Sequence, residues 1–354
     1  MRIVLVRLSA LGDIVHTWPL AEAIRTARPD AHVTWVVEAP FAPLVDGHPA
    51  VDLVIPTRSK AWRRSPFDAR TRHEIAVLKT RLRELEPDIA LDPQGLVKSA
   101  FVTRWTRARR RVGLARPWRR ELLAGLAYTE CLPGSLDHPH VVATNLALAA
   151  AVGAPVPAEP LPPDGTWLSR TVADRPVPGG DGGPRAVLLA GVGQPHKGVS
   201  AETMGEVARR LSADALDVVV AYGPGEQDQA RRIVASSAGQ ARLAPPTDLL
   251  ELVRLLDASR VVVGGDTGPM HLAASLGVPT VGVFLASDWR RNGPLGPHTA
   301  VVAGSASAGG AVRPTGRARS EPVRSVSADD ILAAVAEVLR GGHAAEVSGG
   351  QPTP

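Results

Sequence analysis

Apolar residues recur along this chain in two rhythms that trade places. Residues 2–8 form a continuous β-rich apolar run, followed by the small-residue turn Ser9-Ala10-Leu11-Gly12-Asp13. Residues 14–27 then carry apolar positions at helical spacing, and Pro29 ends them. His32–Val37 and Val51–Ile55 read as strands, 72–86 as a charged amphipathic helix closed by Pro87, and Asp88–Asp92 as a buried strand. After a Pro/Gly-rich stretch at 154–184 the alternation restarts. Strands are predicted at 186–190, 217–222, 261–263 and 278–284. Helices are predicted at 201–212, 226–237, 247–257, 269–276 and 327–340, the last with Ser327 as cap and an acidic first turn.

Strand–helix alternation of this kind predicts parallel sheets covered by helices, an α/β chain of two Rossmann-like halves. The 354-residue length suits about two domains. The expected division is 1–160, a Pro/Gly-rich linker at 161–184, and 185–341, whose final helix is allowed to pack back on the first half. A disordered tail is expected at 342–354, and 302–320 reads as a low-complexity loop. No internal sequence repeat is visible. Such a chain is expected to bind its ligand in a cleft between domains, at the carboxyl ends of the strands.

Composition narrows the classes. The single cysteine, Cys131, excludes a disulfide framework and a cysteine-based zinc site. No apolar run approaches the roughly 18 residues of a membrane span, and the N-terminal run reads as a strand rather than a signal peptide. Cytoplasmic residence is expected. Charge totals +5, and only four of the 40 basic residues are lysine: Lys60, Lys79, Lys98 and Lys197. That balance suits anionic ligands, while no nucleic-acid-binding motif accompanies it.

The strongest local signal is Gly264-Gly265-Asp266-Thr267-Gly268-Pro269-Met270-His271, between a three-valine strand and a helix. Glycines admit a ligand close to the backbone, and free N–H groups at a helix start favour an anion. Pro269 suits the first helical position. The plain alternative is a capped helix with a core histidine. At the other strand–helix junction, Asp13 either caps its helix or serves as a general base for an attacking hydroxyl. Lys197 is a candidate phosphate ligand or a solvated lysine. Glu226, at a strand end, is a candidate for ribose hydroxyls or a helix cap. Gly191-x-Gly193 lacks the third glycine of a dinucleotide fingerprint, because His196 stands there. Residues 104–120 carry eight arginines and no acid, with Trp105 and Trp118 among them; Lys60, Arg63 and Arg64 surround Trp62. Both clusters read as a solvated basic face, a phosphate site or a surface for an anionic membrane.

Four segments together resemble a known family. Residues 2–17, Trp35-Val36-Val37-Glu38, Asp92-Pro93-Gln94-Gly95-Leu96-Val97-Lys98-Ser99-Ala100 and Asp266–Ala274 are similar to the ADP-heptose:lipopolysaccharide heptosyltransferases, most of all heptosyltransferase I. The resemblance implies a glycosyltransferase B-type fold. It implies inverting transfer of L-glycero-D-manno-heptose from ADP-heptose to a Kdo residue of Kdo-lipid A. It gives Asp13 the role of base. Ser9, Ala10, Gly12, Lys197, Glu226, Asp266, Thr267, Gly268 and His271 fall to the donor. Lys60, Arg63, Arg64, Gln94, Lys98 and Arg120 fall to the anionic acceptor. No metal or other cofactor is implied, and no Asp-x-Asp motif suggests one. Peripheral contact with the inner membrane surface is a further expectation. The competing readings are a nucleotide-sugar 2-epimerase, a heptosyltransferase for another anionic glycan, and a non-catalytic nucleotide-sugar binder.

Overall fold

The computed structural model describes residues 1–135, 138–180, 182–191, 198–285, 287–304 and 326–341. The chain divides into two units, Met1–Leu161 and Pro162–Pro354. Residues 305–320 of the low-complexity loop, the five residues after it and the 342–354 tail lie outside the described residues.

The first unit runs β1 (Arg2–Val6), α1 (Leu11–Val15), α2 (Trp18–Ala27), β2 (His32–Glu38), β3 (Leu53–Thr57), α3 (Ser59–Arg64), α4 (Ala69–Glu84), β4 (Ile89–Asp92), α5 (Val97–Trp105), β5 (Arg110–Leu114), β6 (Glu130–Leu132) and α6 (Val141–Leu146). A 3₁₀ segment, Leu122–Ala127, lies between β5 and β6. The second runs α7 (Thr166–Val172), β7 (Arg185–Leu189), α8 (Ala201–Ala213), β8 (Asp217–Ala221), α9 (Gln227–Ser236), β9 (Ala241–Leu243), α10 (Leu249–Asp257), β10 (Val261–Gly265), α11 (Gly268–Ser275), β11 (Thr280–Phe284), α12 (Trp289–Asn292), β12 (Thr299–Ala303) and α13 (Ala328–Leu339).

Each unit holds a six-stranded parallel sheet. The orders are β3-β2-β1-β4-β5-β6 and β9-β8-β7-β10-β11-β12. These are the same topology, used twice by halves that share no visible sequence repeat. In each, the chain reverses direction across the sheet between its first and fourth strands, and a crevice opens there at the carboxyl ends.

The apolar runs form the strands because both sheet faces are covered. Ile3–Val6, Ile89–Leu91 and Val261–Val263 are all buried. In the first unit Val4, Val6, Val36, Ile55 and Ala90 pack with Leu78 and Leu82 of α4 and with Val102 of α5. In the second, Leu188, Val220, Val263 and Val283 pack with α8 and with Ile331, Val335 and Val338 of α13. The last helix therefore lies on the second unit's own sheet. Ser327 caps it as expected, its hydroxyl accepting from Asp330 N at 3.2 Å while Asp330 Oδ2 accepts from Ser327 N at 2.9 Å.

The predicted helix at 14–27 is two helices. Pro19 has no N–H for the next turn, so α1 stops at Val15 and α2 begins at Trp18. The stretch expected to be linker, 161–184, contains α7, whose Trp167, Leu168 and Val172 are buried. The arginine-rich segment contains β5. Arg110 turns to Glu130 at 2.7 Å and Arg111 Nε donates to Ala127 O at 2.8 Å, so Val112 and Leu114 can be buried between the charges.

Candidate active site

In the first unit the crevice is built from the loop after β1 and the turn after β4. The β1 loop is held on every side. Arg7 N donates to Val36 O at 3.2 Å and Glu38 N donates to Leu8 O at 3.0 Å. Trp35 Nε1 donates to Arg7 O at 3.2 Å. Gln94 acts as a clamp: its Oε1 accepts from Leu8 N at 2.9 Å, and its Nε2 donates to Ser9 O at 3.1 Å. Lys98 Nζ donates to Ser9 Oγ at 2.7 Å.

Asp13 stands in the first turn of α1. Its Oδ2 accepts from Ala10 N at 3.3 Å, the capping role. Its Oδ1 meets two cations as well: Arg7 Nη2 at 2.8 Å and Arg120 Nη2 at 3.3 Å. Asp13 is thus both a cap and the anionic centre of an arginine pair. Arg7 is 2% exposed, and its Nη1 donates to Pro93 O at 2.9 Å. Burial pushes its guanidinium below its ordinary value, with Asp13 opposing. In the sequence Arg7 is signalled only as a charge placed inside the apolar run of the first strand and its loop.

The β4 turn rests on a second buried carboxyl. Asp92 Oδ1 accepts from Gln94 N at 2.9 Å and Gly95 N at 3.1 Å, and Oδ2 accepts from the Tyr128 hydroxyl at 2.8 Å. Burial raises the Asp92 carboxyl above the usual range despite these donors. Gly95 has φ +63°, and a Cβ there would lie 3.3 Å from Arg120 N. Glu121 N donates to Gly95 O at 3.0 Å and Glu121 Oε2 accepts from Val97 N at 2.6 Å. These bonds fix the segment that carries Arg120.

At the end of β2, Glu38 is buried and accepts from the Ser59 hydroxyl of α3. Burial lowers the Lys98 ammonium from its ordinary value; Glu38 opposes this and Arg63 reinforces it. The structure therefore brings Ser9, Ala10, Gly12, Asp13, Gln94, Lys98 and Arg120 into one crevice, with Arg63 within electrostatic range of Lys98. Lys60 and Arg64 lie on the exposed side of α3, where Trp62 is buried and donates to Glu74 Oε2 at 2.8 Å.

In the second unit, the corresponding crevice lies at the ends of β7, β8 and β10. Thr267 precedes α11, so Gly268 takes the first helical position and Pro269 the second, one later than expected. His271 is buried and its Nε2 lies 3.4 Å from Asp266 Oδ1. Burial would raise Asp266, but hydrogen bonds from His271, Ser287 and Asn292 hold its carboxyl below the usual range. Thr267 Oγ1 is buried with no hydrogen-bond partner among the described residues. Glu226 does not cap α9 with its side chain; its Oε2 accepts from Gly223 N at 2.7 Å. Its carboxylate lies between two glycines. A Cβ on Gly191 would meet Oε1 at 3.0 Å, and one on Gly223 would meet Oε2 at 3.0 Å. Lys197 lies outside the described residues. Among the described residues no group of three or more His, Cys, Asp or Glu is placed to hold a metal ion.

Comparison with known proteins agrees with this geometry. The family model described as glycosyltransferase family 9 (heptosyltransferase) matches residues 75–314. The chain is 32% identical over 284 residues to lipopolysaccharide heptosyltransferase 1 of Pseudomonas aeruginosa, covering 80% of this chain and 78% of that one. It superposes on E. coli heptosyltransferase WaaC with ADP at a TM-score of 0.78 and 27% identity, covering 96% of this chain and 100% of that one. With the same enzyme bound to ADP-2-deoxy-2-fluoro heptose, the TM-score is 0.75 at 27% identity, over 95% and 99% of the two chains.

Proposed function

The chain belongs to glycosyltransferase family 9, the heptosyltransferases, and on that premise we propose that it moves L-glycero-D-manno-heptose from ADP-heptose to a Kdo residue of Kdo-lipid A, in the cytoplasm, with inversion. The observation that carries the reading is the pairing of two crevices at equivalent places in two like sheets. One is built around a fixed carboxylate among cations, the other around a glycine-lined helix start and a carboxylate cradle.

In this reading the acceptor hydroxyl attacks the anomeric carbon on the face opposite ADP. The bond from that carbon to the phosphate oxygen breaks, and ADP leaves with the electron pair. Asp13 takes the hydroxyl proton, in step with attack, because a hydroxyl is a poor nucleophile at neutral pH. Arg7 and Arg120 hold one of its oxygens, so the carboxylate does not need to reorient as the reaction proceeds. Negative charge grows on the leaving diphosphate. The N-terminus of α11, the Thr267 hydroxyl and Lys197 supply positive potential there without a metal ion. Glu226 receives the ribose hydroxyls, and Asp266 and His271 contact the donor sugar and phosphates. Lys98, Arg63, Arg64 and Lys60 meet the Kdo carboxylate and nearby phosphates, with Gln94 and Arg120 at the mouth. Ser9, Ala10 and Gly12 line the approach to the donor.

Mass spectrometry of a reaction with ADP-heptose and Kdo-lipid A tests the reading. One heptosyl unit added to the acceptor, together with ADP release that requires the acceptor, is the expected result. Turnover of ADP-heptose alone to an epimer would instead favour nucleotide-sugar 2-epimerisation. Transfer to a different anionic glycan, with Kdo-lipid A inert, would keep the chemistry and replace the acceptor.

A further inference from the structure

Four of the large apolar side chains that stand in solvent belong to one stretch of the first unit. Phe101 of α5 is 56% exposed, and Leu122, Leu123 and Leu126 of the 3₁₀ segment are 55%, 68% and 85% exposed. α5 and the 3₁₀ segment are packed against each other. Neither exposure is forced by the fold: α5 buries its other face through Ala100, Val102 and Thr103, and the 3₁₀ segment is anchored by Ala124. Phe101 stacks on Trp105 with ring centroids 6.3 Å apart, so it is held out from the surface by an aromatic neighbour.

The charge around these side chains is one-sided. Residues 101–126 contain eight arginines against the one acid Glu121. Arg104, Arg107, Arg109, Arg116 and Arg120 are exposed. Glu121 is itself engaged, accepting from Val97 N at 2.6 Å. Exposed leucines beside arginines and half-buried tryptophans suit the boundary between headgroups and acyl chains of an anionic bilayer: the leucines enter the apolar layer and the guanidiniums meet phosphates. A protein partner would be expected to leave some acidic or neutral polar rim, and this stretch offers almost none.

We infer that the α5 and Leu122–Ala127 surface docks on a bilayer carrying anionic headgroups. The inference rests on the proposed function in one respect, that an acceptor anchored in lipid gives such a surface its purpose. The segment that carries Arg120 to Asp13 continues, two residues later, into Leu122. Docking there would set the acceptor crevice at the headgroup layer, where the sugars of a lipid-anchored glycan lie.

The test needs no sugar substrate, so it can fail independently of the transferase reading. Full-length protein is sedimented with vesicles of phosphatidylethanolamine and phosphatidylglycerol, and separately with phosphatidylcholine vesicles. Strong binding to the first, at least tenfold weaker binding to the second, and loss of binding as salt is raised are expected. Leu123→Ser with Leu126→Ser should weaken binding to the anionic vesicles at least tenfold. Both positions are exposed, and an unchanged melting temperature and circular dichroism spectrum check that the variant folds. Arg104→Gln with Arg109→Gln should reduce the preference for anionic over neutral vesicles. The inference is overturned if the wild type binds no vesicle, if it binds both kinds equally, or if the leucine variant partitions like the wild type. It is also overturned if the wild type self-associates without vesicles and the leucine substitutions abolish that instead, which would make the surface a subunit interface.

Discussion

Replacing Tyr128 by phenylalanine removes a single hydroxyl, yet that hydroxyl is the donor to Asp92 Oδ2 at 2.8 Å. Asp92 is wholly buried and already raised by burial, so the bond it loses is to a carboxyl with no access to water. A hydrogen bond to a charged group contributes about 1.5–3 kcal/mol. The ring itself stays, packed over Gly113, where a Cβ would lie 2.2 Å from the Tyr128 ring, so no cavity term is added. For a unit spanning Met1–Leu161, each kcal/mol moves the melting temperature by about 2–4 °C. The expected loss at neutral pH is therefore about 3–12 °C in the transition of the first unit, read by calorimetry. The pH dependence gives a second handle. The folded-state pKa of Asp92 is raised, so the native state holds a proton that the unfolded chain has released, and stability falls as pH rises from the unfolded value, about 3.9, towards the folded one. Losing the Tyr128 donor raises the folded value further and widens that window. The gap between wild type and Y128F should grow as pH rises across it and then level off. A shift below about 1 °C at neutral pH, or a gap that nowhere widens as pH rises above about 4, would refute the assignment of Tyr128 as the donor that holds Asp92.

Asp13→Asn should lower turnover roughly 100-fold or more while leaving ADP affinity within about twofold, measured by steady-state kinetics and calorimetric titration; near-native turnover would remove Asp13 from proton transfer. Gly191→Ala should weaken ADP binding about tenfold, because its Cβ would press on Glu226 Oε1 at 3.0 Å, with the melting temperature reporting any wider damage. His271→Gln should cost stability at neutral pH. The folded-state Asp266 pKa is depressed, and His271 contributes to that; its contribution is present above the unfolded value and lost as pH falls through the folded one. Wild-type and variant denaturant midpoints should therefore converge below about pH 4. Neutralising Arg63 and Arg64 together should raise acceptor KM and flatten its rise with salt, with ADP binding unchanged.

The alternation of periods in the sequence was enough to read two parallel α/β halves, because buried strands of Val, Ile and Leu between amphipathic helices have few other solutions. Both junctions that carry Asp13 and Asp266–His271 were legible for the same reason: a turn of small residues between a buried strand and a helix is where a crevice must open. What escaped is equally physical. β5 was hidden because it opens on two adjacent arginines, which reach to Glu130 and backbone carbonyls, and only Val112–Leu114 that follow them are buried. β6 and β9 are three residues long, too short to show a period. α7 sits among prolines and glycines and declares itself only through Trp167, Leu168 and Val172. The clamp made by Gln94 and the brace made by Asp92 and Tyr128 join residues up to 86 positions apart, and no local pattern records such partners.

Arg7 gives the first unit an internal charge that no solvent reaches, with Asp13 as its nearest counter-ion at 2.8 Å. Removing one member of a buried pair strands the other, at a cost of about 3–5 kcal/mol, and the 18% exposure of the Asp13 side chain favours the lower end. The proposed base is thus also a structural keystone, so any substitution that tests its chemistry also lowers the stability of the first unit. A descendant that kept the architecture but abandoned the chemistry would have to discard Arg7 and Asp13 together. A surviving arginine at position 7 beside a neutral residue at position 13 would carry that cost as a lowered melting temperature.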